Sequence, residues 1–163
     1  MNKVAIIGGS GFVGTRLIEC LGQDCCVNVD KQNSQKFPDI TIIWDIAIKD
    51  LIKNFPSNID TIVLLAAEHQ DDVCPTSLYY DVNVKGMKNV LELMERFKIK
   101  NIIFTSSVAV YGLNKGNLDE SAPVDPFNDY GKSKFQAEKI LHNWYLKDSE
   151  NHSVTIIRPT VIF

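Results

Sequence analysis

Two residues that could move a proton stand four positions apart in the stretch YGKSK, namely Tyr130 and Lys134. That spacing places both side chains on the same face of a helix. A tyrosine hydroxyl has a pKa of about 10, and a nearby ammonium favours the phenolate and lowers that pKa. The pair therefore predicts a general acid–base group in which Lys134 activates Tyr130. Taken alone, the spacing also fits an ordinary solvated helix face.

A second group with chemical potential is the serine pair Ser106 and Ser107, which ends the apolar run NIIFTSS. Ligands of parallel α/β folds bind beyond the carboxyl ends of the strands. A serine hydroxyl at such a strand end could polarise a substrate oxygen beside the tyrosine. The serines therefore extend the predicted acid–base site.

Near the N terminus, the stretch VAIIGGSGFVGTRLIECL contains glycines at every third position, Gly8, Gly11 and Gly14. A helix N terminus presents unpaired backbone N–H groups and favours an anion. We predict that Gly8 allows a tight turn, Gly11 lets the backbone approach a pyrophosphate, and Gly14 lets the helix pack close to the strand. An ordinary strand–turn–helix with incidental glycines is the alternative.

An acidic residue, Asp30, ends the next apolar run, CCVNVD. In a dinucleotide-binding fold, a carboxylate at this position accepts hydrogen bonds from the adenosine ribose and repels a 2′-phosphate. Asp30 thus favours NAD over NADP, although Lys31 follows it and weakens the case slightly. A turn aspartate at a strand end is the alternative.

Apolar patterning predicts the elements that position these residues. Strands are predicted at 3–7, 25–30, 39–43, 61–67, 100–107 and 153–163, and helices near 12–22, 46–55, 75–97 and 129–147. A loop rich in Gly, Asn, Asp and Pro spans 112–128. Repeated β-α-β units predict an α/β fold, a Rossmann-type doubly wound parallel sheet with helices on both faces.

Composition narrows the class of protein. The chain has 163 residues, 45% of them hydrophobic, and a net charge of −3 without a basic stripe, which argues for one domain and against a nucleic-acid partner. No apolar run is long enough to span a bilayer, and we expect no membrane partner. The four cysteines lack metal-site or disulfide spacing, so we expect reduced thiols, no metal and a cytoplasmic location.

These motifs come in the order of a known family. GGSGFVG, VNVD, WDI, LLAAEH, DVNVKGMKNVLE, IIFTSSVAVYG, YGKSK and IIRPTVIF span the chain. The sequence resembles the extended short-chain dehydrogenase/reductases, specifically the NAD-dependent epimerase/dehydratase group that acts on nucleotide sugars. The resemblance implies NAD as the cofactor and a nucleotide sugar as the substrate.

The resemblance also implies residue roles. Ser107, Tyr130 and Lys134 would be the catalytic residues, and Tyr130 and Lys134 would contact the cofactor as well. The resemblance further implies that Phe12 and Val13 lie at the pyrophosphate and that Asp45 and Ile46 contact the adenine. Ala66 and Ala67 would line the cofactor cleft, and Asn83 would lie near it. Without the resemblance, Asp45 reads as a helix N-cap and Asn83 as a polar helix residue.

Two departures from the family pattern refine the function. The family's dehydratases and decarboxylases carry acidic residues after the catalytic serine, where this chain has Val108 and Ala109. Neither can move a proton, so we favour C4 epimerisation over elimination. A one-way reductase or dehydrogenase with the same triad and a non-catalytic NAD-binding module are the alternatives.

Length is the second departure, because family members are usually much longer and build their sugar pocket in the C-terminal half. We therefore expect residues 1–163 to form an NAD-binding Rossmann domain from which the substrate domain is largely absent. The family's equivalents of the helices near 82–97 and 129–147 pair as a four-helix bundle. We expect a homodimer of this kind, supported by apolar residues beyond the needs of the sheet, Phe135, Ile140, Leu141 and Trp144.

Overall fold

A parallel sheet forms the centre of the molecule. The computed structural model describes residues 3–49, 52, 55–70, 72–113, 116 and 118–160. Within these residues the strands are β1 (Lys3–Ile7), β2 (Cys26–Asp30), β3 (Thr41–Ile43), β4 (Ile59–Leu64), β5 (Asn101–Thr105) and β6 (Ser153–Ile157). Their order in the sheet is β3-β2-β1-β4-β5-β6, and every neighbouring pair is parallel. From β1 the chain adds strands on one side of the sheet up to β3, and from β4 it adds them on the other side up to β6, so the strand order reverses between β1 and β4.

The helices connect these strands. They are α1 (Phe12–Leu21), α2 (Ser77–Tyr80), α3 (Gly86–Phe97) and α4 (Asp129–Tyr145), and a π-helical turn at Asp81–Lys85 joins α2 to α3. Short 3-10 turns lie at Gln23–Cys25, Pro38–Ile40 and Val108–Tyr111. None of the helices in the described part of the chain is long and apolar enough to cross a bilayer.

Helices pack on both faces of the sheet, so the predicted Rossmann-type α/β fold is confirmed. On one face, α3 and α4 bury a large core that includes Leu64, Met94 and Phe104. On the other face, α1 covers β1, β2 and β4 through a smaller cluster around Ile6 and Ile18. Residues of β6 alternate between partly buried and exposed, so the outer edge of this second face is less covered.

Two of the residues expected to be surplus to the sheet belong to the core instead. Leu141 and Trp144 are buried where α4 packs on α3, and the Trp144 indole N–H donates to Glu95 at 2.5 Å. The expectation that they supply a dimer surface is therefore wrong. Phe135 and Ile140 are only partly buried.

The predicted helix near 46–55 does not begin where expected. Residues 46–48 form a turn, in which the Asp45 carboxylate accepts a hydrogen bond from Ala47 N at 2.9 Å. Residues 50, 51, 53 and 54 lie outside the described part of the chain. The Ile46 carbonyl accepts a hydrogen bond from the buried Asn89 side chain at 2.7 Å. The apolar residue that suggested helical periodicity is thus fixed against α3 as part of a turn.

Several strands are shorter than their apolar runs. The predicted third strand starts two residues late, because Pro38–Ile40 forms a 3-10 turn. The fourth stops at Leu64, since Leu65 N and Ala66 N both donate to the Ile7 carbonyl, at 2.8 and 2.9 Å. The fifth and sixth end at Thr105 and Ile157. Residues 161–163 of the predicted last strand lie outside the described residues.

Candidate functional site

A cleft of about 910 Å³ opens at the carboxyl ends of the central strands, where the strand order reverses. This is the position at which open α/β sheets bind ligands. Of the site residues predicted from sequence, all but Asn83 line it: Gly8, Gly11, Phe12, Val13, Gly14, Asp30, Asp45, Ile46, Ala66, Ala67, Ser107, Tyr130 and Lys134. The structure therefore brings the predicted cofactor and acid–base residues to one cavity.

The glycine loop between β1 and α1 forms one wall of the cleft. Gly8 has a φ of +92°, and a Cβ there would lie 2.5 Å from Ala66 N on the neighbouring strand end. A Cβ at Gly11 would meet only the Gly8 carbonyl, at 3.3 Å, so the side that faces the cleft is open. Gly11 is also the N-cap of α1, and within the described residues this helix has no side-chain N-cap bond. The loop therefore offers an anion backbone N–H groups at close range.

Gly14 has a different role from the one predicted. A Cβ at this position would collide with Gly9 Cα and lie 2.6 Å from the Gly8 carbonyl. The glycine thus lets α1 pack against its own preceding loop, rather than against the strand. The close approach fixes the loop geometry from behind.

Asp30 lies at the end of β2 and is held by backbone donors. Its Oδ2 accepts a hydrogen bond from Ser10 N at 3.0 Å, and its Oδ1 accepts one from Gln32 N at 3.0 Å. The carboxylate thereby joins the glycine loop to the segment after β2. Because each carboxylate oxygen has a second lone pair, the group can still accept bonds from a ligand in the cleft.

Apolar side chains form the mouth of the cleft on this side. Phe12 and Val13 are 52% and 37% exposed at the start of α1. Ile46 is buried by α3, where a Cβ on Gly86 would lie 2.8 Å from Ile46 Cδ1. Asn89, which sequence reasoning missed, holds this turn through the Ile46 carbonyl. A polar residue on the apolar face of α3 was the signal that could have found it.

The acid–base side of the cleft is built where α4 meets the turn after β5. Asn128 caps α4 by accepting a hydrogen bond from Gly131 N at 2.8 Å. A Cβ on Gly131 would lie 2.5 Å from the Ala109 carbonyl, so only a glycine lets the helix approach this turn so closely. Ser107 Oγ accepts a bond from Ala109 N at 3.1 Å. The contact brings Tyr130, next to the glycine, towards Ser107.

The electrostatics of Tyr130 differ from the prediction. Burial raises the pKa of the Tyr130 hydroxyl, and the neighbouring Ser107 hydroxyl, which favours the phenolate, only partly opposes that shift. The expected lowering of this pKa by Lys134 is therefore wrong for this structure. Burial is the largest cause of the pKa shift at both Tyr130 and Lys134, because desolvation disfavours the charged form of each group.

Lys134 is 2% exposed, and its Nζ lies 4.5 Å from the centroid of the Phe104 ring. Burial lowers the pKa of its ammonium to about 7, and the negative charge of Glu138, one helical turn later, opposes the shift. The group that changes charge near neutral pH is thus the lysine.

An ion pair between the partly buried Arg158 and the buried Glu138 lies one helical turn from this lysine. Arg158 donates to both carboxylate oxygens of Glu138, at 2.9 and 2.6 Å, and to the Tyr111 hydroxyl at 2.6 Å. These bonds connect the end of β6, α4 and the turn after β5. Sequence reasoning missed all three residues, whose only signal was an Arg in an otherwise apolar strand.

Asn83 lies behind the cleft wall, in the π-helical turn. Its side chain bonds to Glu68 N and Glu68 O, both at 3.0 Å, and donates to Ser133 Oγ at 2.9 Å. Ser133 Oγ donates in turn to the Tyr130 carbonyl at 2.8 Å. Asn83 thus positions the loop after β4 and the start of α4, a role for which π-helical turns are typical.

These features fit a dinucleotide. The open cradle at Gly11 accommodates a pyrophosphate, and the held carboxylate of Asp30 can accept bonds from a ribose. Phe12 and Val13 follow this cradle at the start of α1, and the turn that contains Asp45 and Ile46 also lines the cleft. The cleft therefore offers a group for the pyrophosphate and a group for a ribose in one cavity.

Sequence comparison with known proteins finds two relatives that are named as 4-epimerases. Over 163 residues the chain is 60% identical to the N-acetyl-alpha-D-glucosaminyl-diphospho-ditrans,octacis-undecaprenol 4-epimerase of Escherichia coli O157:H7, covering 99% of this chain and 49% of the relative. It is 34% identical to the UDP-glucose 4-epimerase of Lacticaseibacillus casei, covering 85% of this chain and 46% of that relative. The chain thus spans about half the length of these curated relatives.

A solved structure of UDP-glucose 4-epimerase from Bifidobacterium longum in complex with NAD+ and UDP superposes with a TM-score of 0.82 at 28% identity, over 96% of this chain and 52% of that one. The UDP-glucose 4-epimerase from Brucella ovis in complex with NAD, at 23% identity and a TM-score of 0.81, shares the fold. The NAD dependent epimerase/dehydratase family matches residues 4–163. The chain therefore belongs to that family, as its motifs predicted.

Proposed function

We propose that the chain is the cofactor-binding part of an NAD-dependent 4-epimerase that acts on a sugar carried by a diphosphate. The observation that carries the proposal is the single cleft lined by both the glycine loop and the pair Tyr130 and Lys134. A binding module without chemistry would have no need for a tyrosine, a serine and a buried lysine at the same cavity. The names of the 60% and 34% identical relatives support the epimerase class.

The lining of the cleft supports the cofactor contacts that the family resemblance implies. The N terminus of α1 at Gly11 would hold the pyrophosphate, and Asp30 the adenosine ribose. The turn at Asp45 and Ile46 would receive the adenine, and Lys134 the nicotinamide ribose. When bound, NAD supplies the reversible oxidation and reduction of a sugar carbon.

The chain's own residues would handle the proton. Tyr130 would take the proton from the sugar hydroxyl and return it after the sugar has turned its other face, as C4 epimerisation requires. Ser107 would hydrogen-bond the same oxygen. Lys134 would stabilise the phenolate whenever its ammonium is charged. The uncharged Val108 and Ala109 supply no group for an elimination, which supports epimerisation over dehydration.

The carrier of the sugar has two candidates with the diphosphate in common. The sequence motifs favour a nucleotide sugar. The 60% identity to a relative named for an undecaprenol-linked substrate favours a polyprenyl diphosphate.

Incubating the whole protein with each substrate class tests the proposal. UDP-N-acetylglucosamine, UDP-glucose and N-acetylglucosaminyl-diphospho-undecaprenol are supplied in parallel, and the C4 epimers are separated by chromatography. We expect epimerisation of at least one of them, which Tyr130→Phe removes. Only a one-way reduced or oxidised product would favour the reductase alternative, and cofactor binding without turnover of any sugar would favour the binding module.

We also propose a homodimer, for which the partly exposed Phe135 and Ile140 on α4 are the remaining apolar candidates. Light scattering at micromolar concentration tests it, and a monomer would contradict it. The four-helix bundle and the cytoplasmic location stay predictions. All four cysteines are free, which agrees with a reducing compartment.

A further inference from the structure

The hydroxyl of Ser10 connects three segments around Asp30. Ser10 Oγ donates to the Gln32 carbonyl at 2.9 Å and accepts a bond from Asn28 Nδ2 at 3.0 Å, while Ser10 N donates to Asp30 Oδ2. Gln32 N donates to the other oxygen of the same carboxylate. Ser10 and Gln32 thus hold Asp30 from both sides, and the Ser10 hydroxyl ties the two holders together.

Asn28 anchors this arrangement from inside the sheet. It is 0% exposed, and its amide also donates to Thr41 Oγ1 on β3 at 2.8 Å. Its Oδ1 is buried without a hydrogen-bond partner in the described residues and lies directly beneath Gly9, where a Cβ would collide with it. Burying an amide oxygen without a hydrogen bond costs free energy. The Asn28 side chain therefore sets the distance between the glycine loop and β2.

Selectivity against a 2′-phosphate requires that the Asp30 carboxylate cannot turn away. Lys31 follows Asp30 and also lines the cleft. If the segment after β2 moved, this ammonium could approach a 2′-phosphate while the carboxylate retreated. The repulsion that excludes NADP is therefore only as strong as the bonds that hold Asp30 and Gln32 in place.

We propose that Ser10 is a positioning residue that sets the preference for a dinucleotide with a free 2′-hydroxyl, by locking the Asp30 carboxylate between the glycine loop and Gln32. The inference rests on the proposed function, because it presumes that the cleft binds NAD.

Ser10→Ala tests the claim, with the affinities of NAD and NADP measured by calorimetric titration. Loss of the hydroxyl frees Gln32, so we expect the ratio of NAD to NADP affinity to fall by roughly three- to tenfold, the equivalent of one hydrogen bond. Ser34→Ala is the matched control. Ser34 Oγ accepts a bond from Phe37 N at 3.1 Å in the same segment, and within the described residues it has no hydrogen bond to Asp30 or Gln32. It should keep the wild-type ratio.

A double-mutant cycle shows whether Ser10 acts through the carboxylate. In an Asp30→Asn background, adding Ser10→Ala should leave the ratio unchanged. An equal fall of the ratio in both backgrounds would overturn the inference. So would a Ser10→Ala protein that binds both cofactors more weakly by the same factor, because that is the signature of a purely structural role.

The outcomes separate this inference from the proposed function. A wild-type protein that binds neither cofactor would overturn both. A wild-type protein that prefers NAD, with a Ser10→Ala variant that keeps the whole preference, would overturn the role of Ser10 alone.

Discussion

The two sides of the cleft are built in different ways. The ribose side is the side formed by the glycine loop and Asp30. It is made mainly by the backbone, because Gly8, Gly11 and the bonds to Asp30 are main-chain features. On the acid–base side, side chains make it, and they come from β5, α4 and the turn between them. Tyr130 and Ser107 meet only because Gly131 allows α4 to approach the Ala109 carbonyl.

The sides also differ in how they treat charge. The Asp30 carboxylate has two backbone donors at the edge of the cleft. Lys134 is buried over the Phe104 ring, with a pKa lowered to about 7. Two backbone N–H groups fix the carboxylate on the first side, whereas the second side holds a buried lysine whose charge responds to small changes in its surroundings. The ribose side is therefore suited to recognition and the other side to proton transfer.

Gly11→Val tests the backbone side and should have the largest effect. Its Cβ would meet only the Gly8 carbonyl at 3.3 Å, and its φ of −77° suits any residue, so the fold should survive. The added methyl groups would occupy the space of the pyrophosphate, and we expect no measurable binding of NAD or NADP by calorimetry.

Gly14→Val is the counterpart for this experiment. A Cβ there would collide with the glycine loop itself, so this variant should lower the unfolding temperature in thermal denaturation followed by circular dichroism. Retained cofactor binding by Gly11→Val would contradict the assignment of the phosphate site.

Tyr130→Phe tests the side-chain side. In the whole protein we expect turnover to fall at least about a hundredfold, the low end of what a positioned acid–base group contributes. The affinity for NAD should change little, because the ring remains and only the hydroxyl is lost. Steady-state kinetics and calorimetry measure the two effects separately. A similar loss in both would mean that the hydroxyl acts mainly in binding.

Lys134→Met measures the cost of the buried ammonium. The folded-state pKa of Lys134 is lowered from 10.5 to about 7, so the unfolded chain binds more protons between these values, and wild-type stability rises with pH in that window. Below about pH 7 the full cost is present, and there the variant should unfold at a temperature higher by at least about 3 °C. The difference should shrink as pH approaches about 10.

A matched control for that experiment is Lys132→Met, which removes an exposed lysine from the same helix. It should show no such pH-dependent gain. The Lys134→Met protein should also bind NAD more weakly, since the ammonium is assigned to the ribose. A pH-independent difference between Lys134→Met and wild type would contradict the buried-charge interpretation.

The contrast between the two sides explains how much the sequence could reveal. Gly8 and Gly11 belong to one turn after β1, and Asp30 ends the next strand along the chain, so their positions could be predicted from the order of the elements. Tyr130 and Lys134 were found because a helix fixes their spacing. The residues that hold α4 in place were not found, since Arg158 and Asn83 reach Glu138 and Ser133 on this helix only through tertiary packing.

Local context also explains the errors in the predicted elements. Ile46 belongs to an apolar run with helical spacing, but the Asn89 side chain takes its carbonyl and the turn at Asp45 competes with a helix. The sequence predicts that Leu141 and Trp144 are surplus to the sheet, because it does not show how closely α4 packs against α3. Periodicity identifies an apolar face, and only packing decides what covers it.

Tyr80→Phe is expected to have the smallest effect and probes how the acid–base side is assembled. The Tyr80 hydroxyl, at the end of α2, donates at 2.6 Å to Asp129 in the first turn of α4, and this bond raises the Tyr80 pKa to about 12. Removing it at a partly exposed position should cost about 1 kcal/mol or less, or about 2 °C in unfolding temperature.

Because the folded-state pKa of Tyr80 lies above the unfolded value, the contribution of this bond to stability is full below about pH 10 and is lost towards pH 12. Thermal denaturation of wild type and variant should therefore give a constant difference near neutral pH that narrows above pH 10, with Tyr145→Phe, in the last turn of α4, as the control. A loss of turnover far beyond the loss of stability would mean that the first turn of α4 moves, and that the side-chain half of the cleft depends on α2 as much as on Asn83.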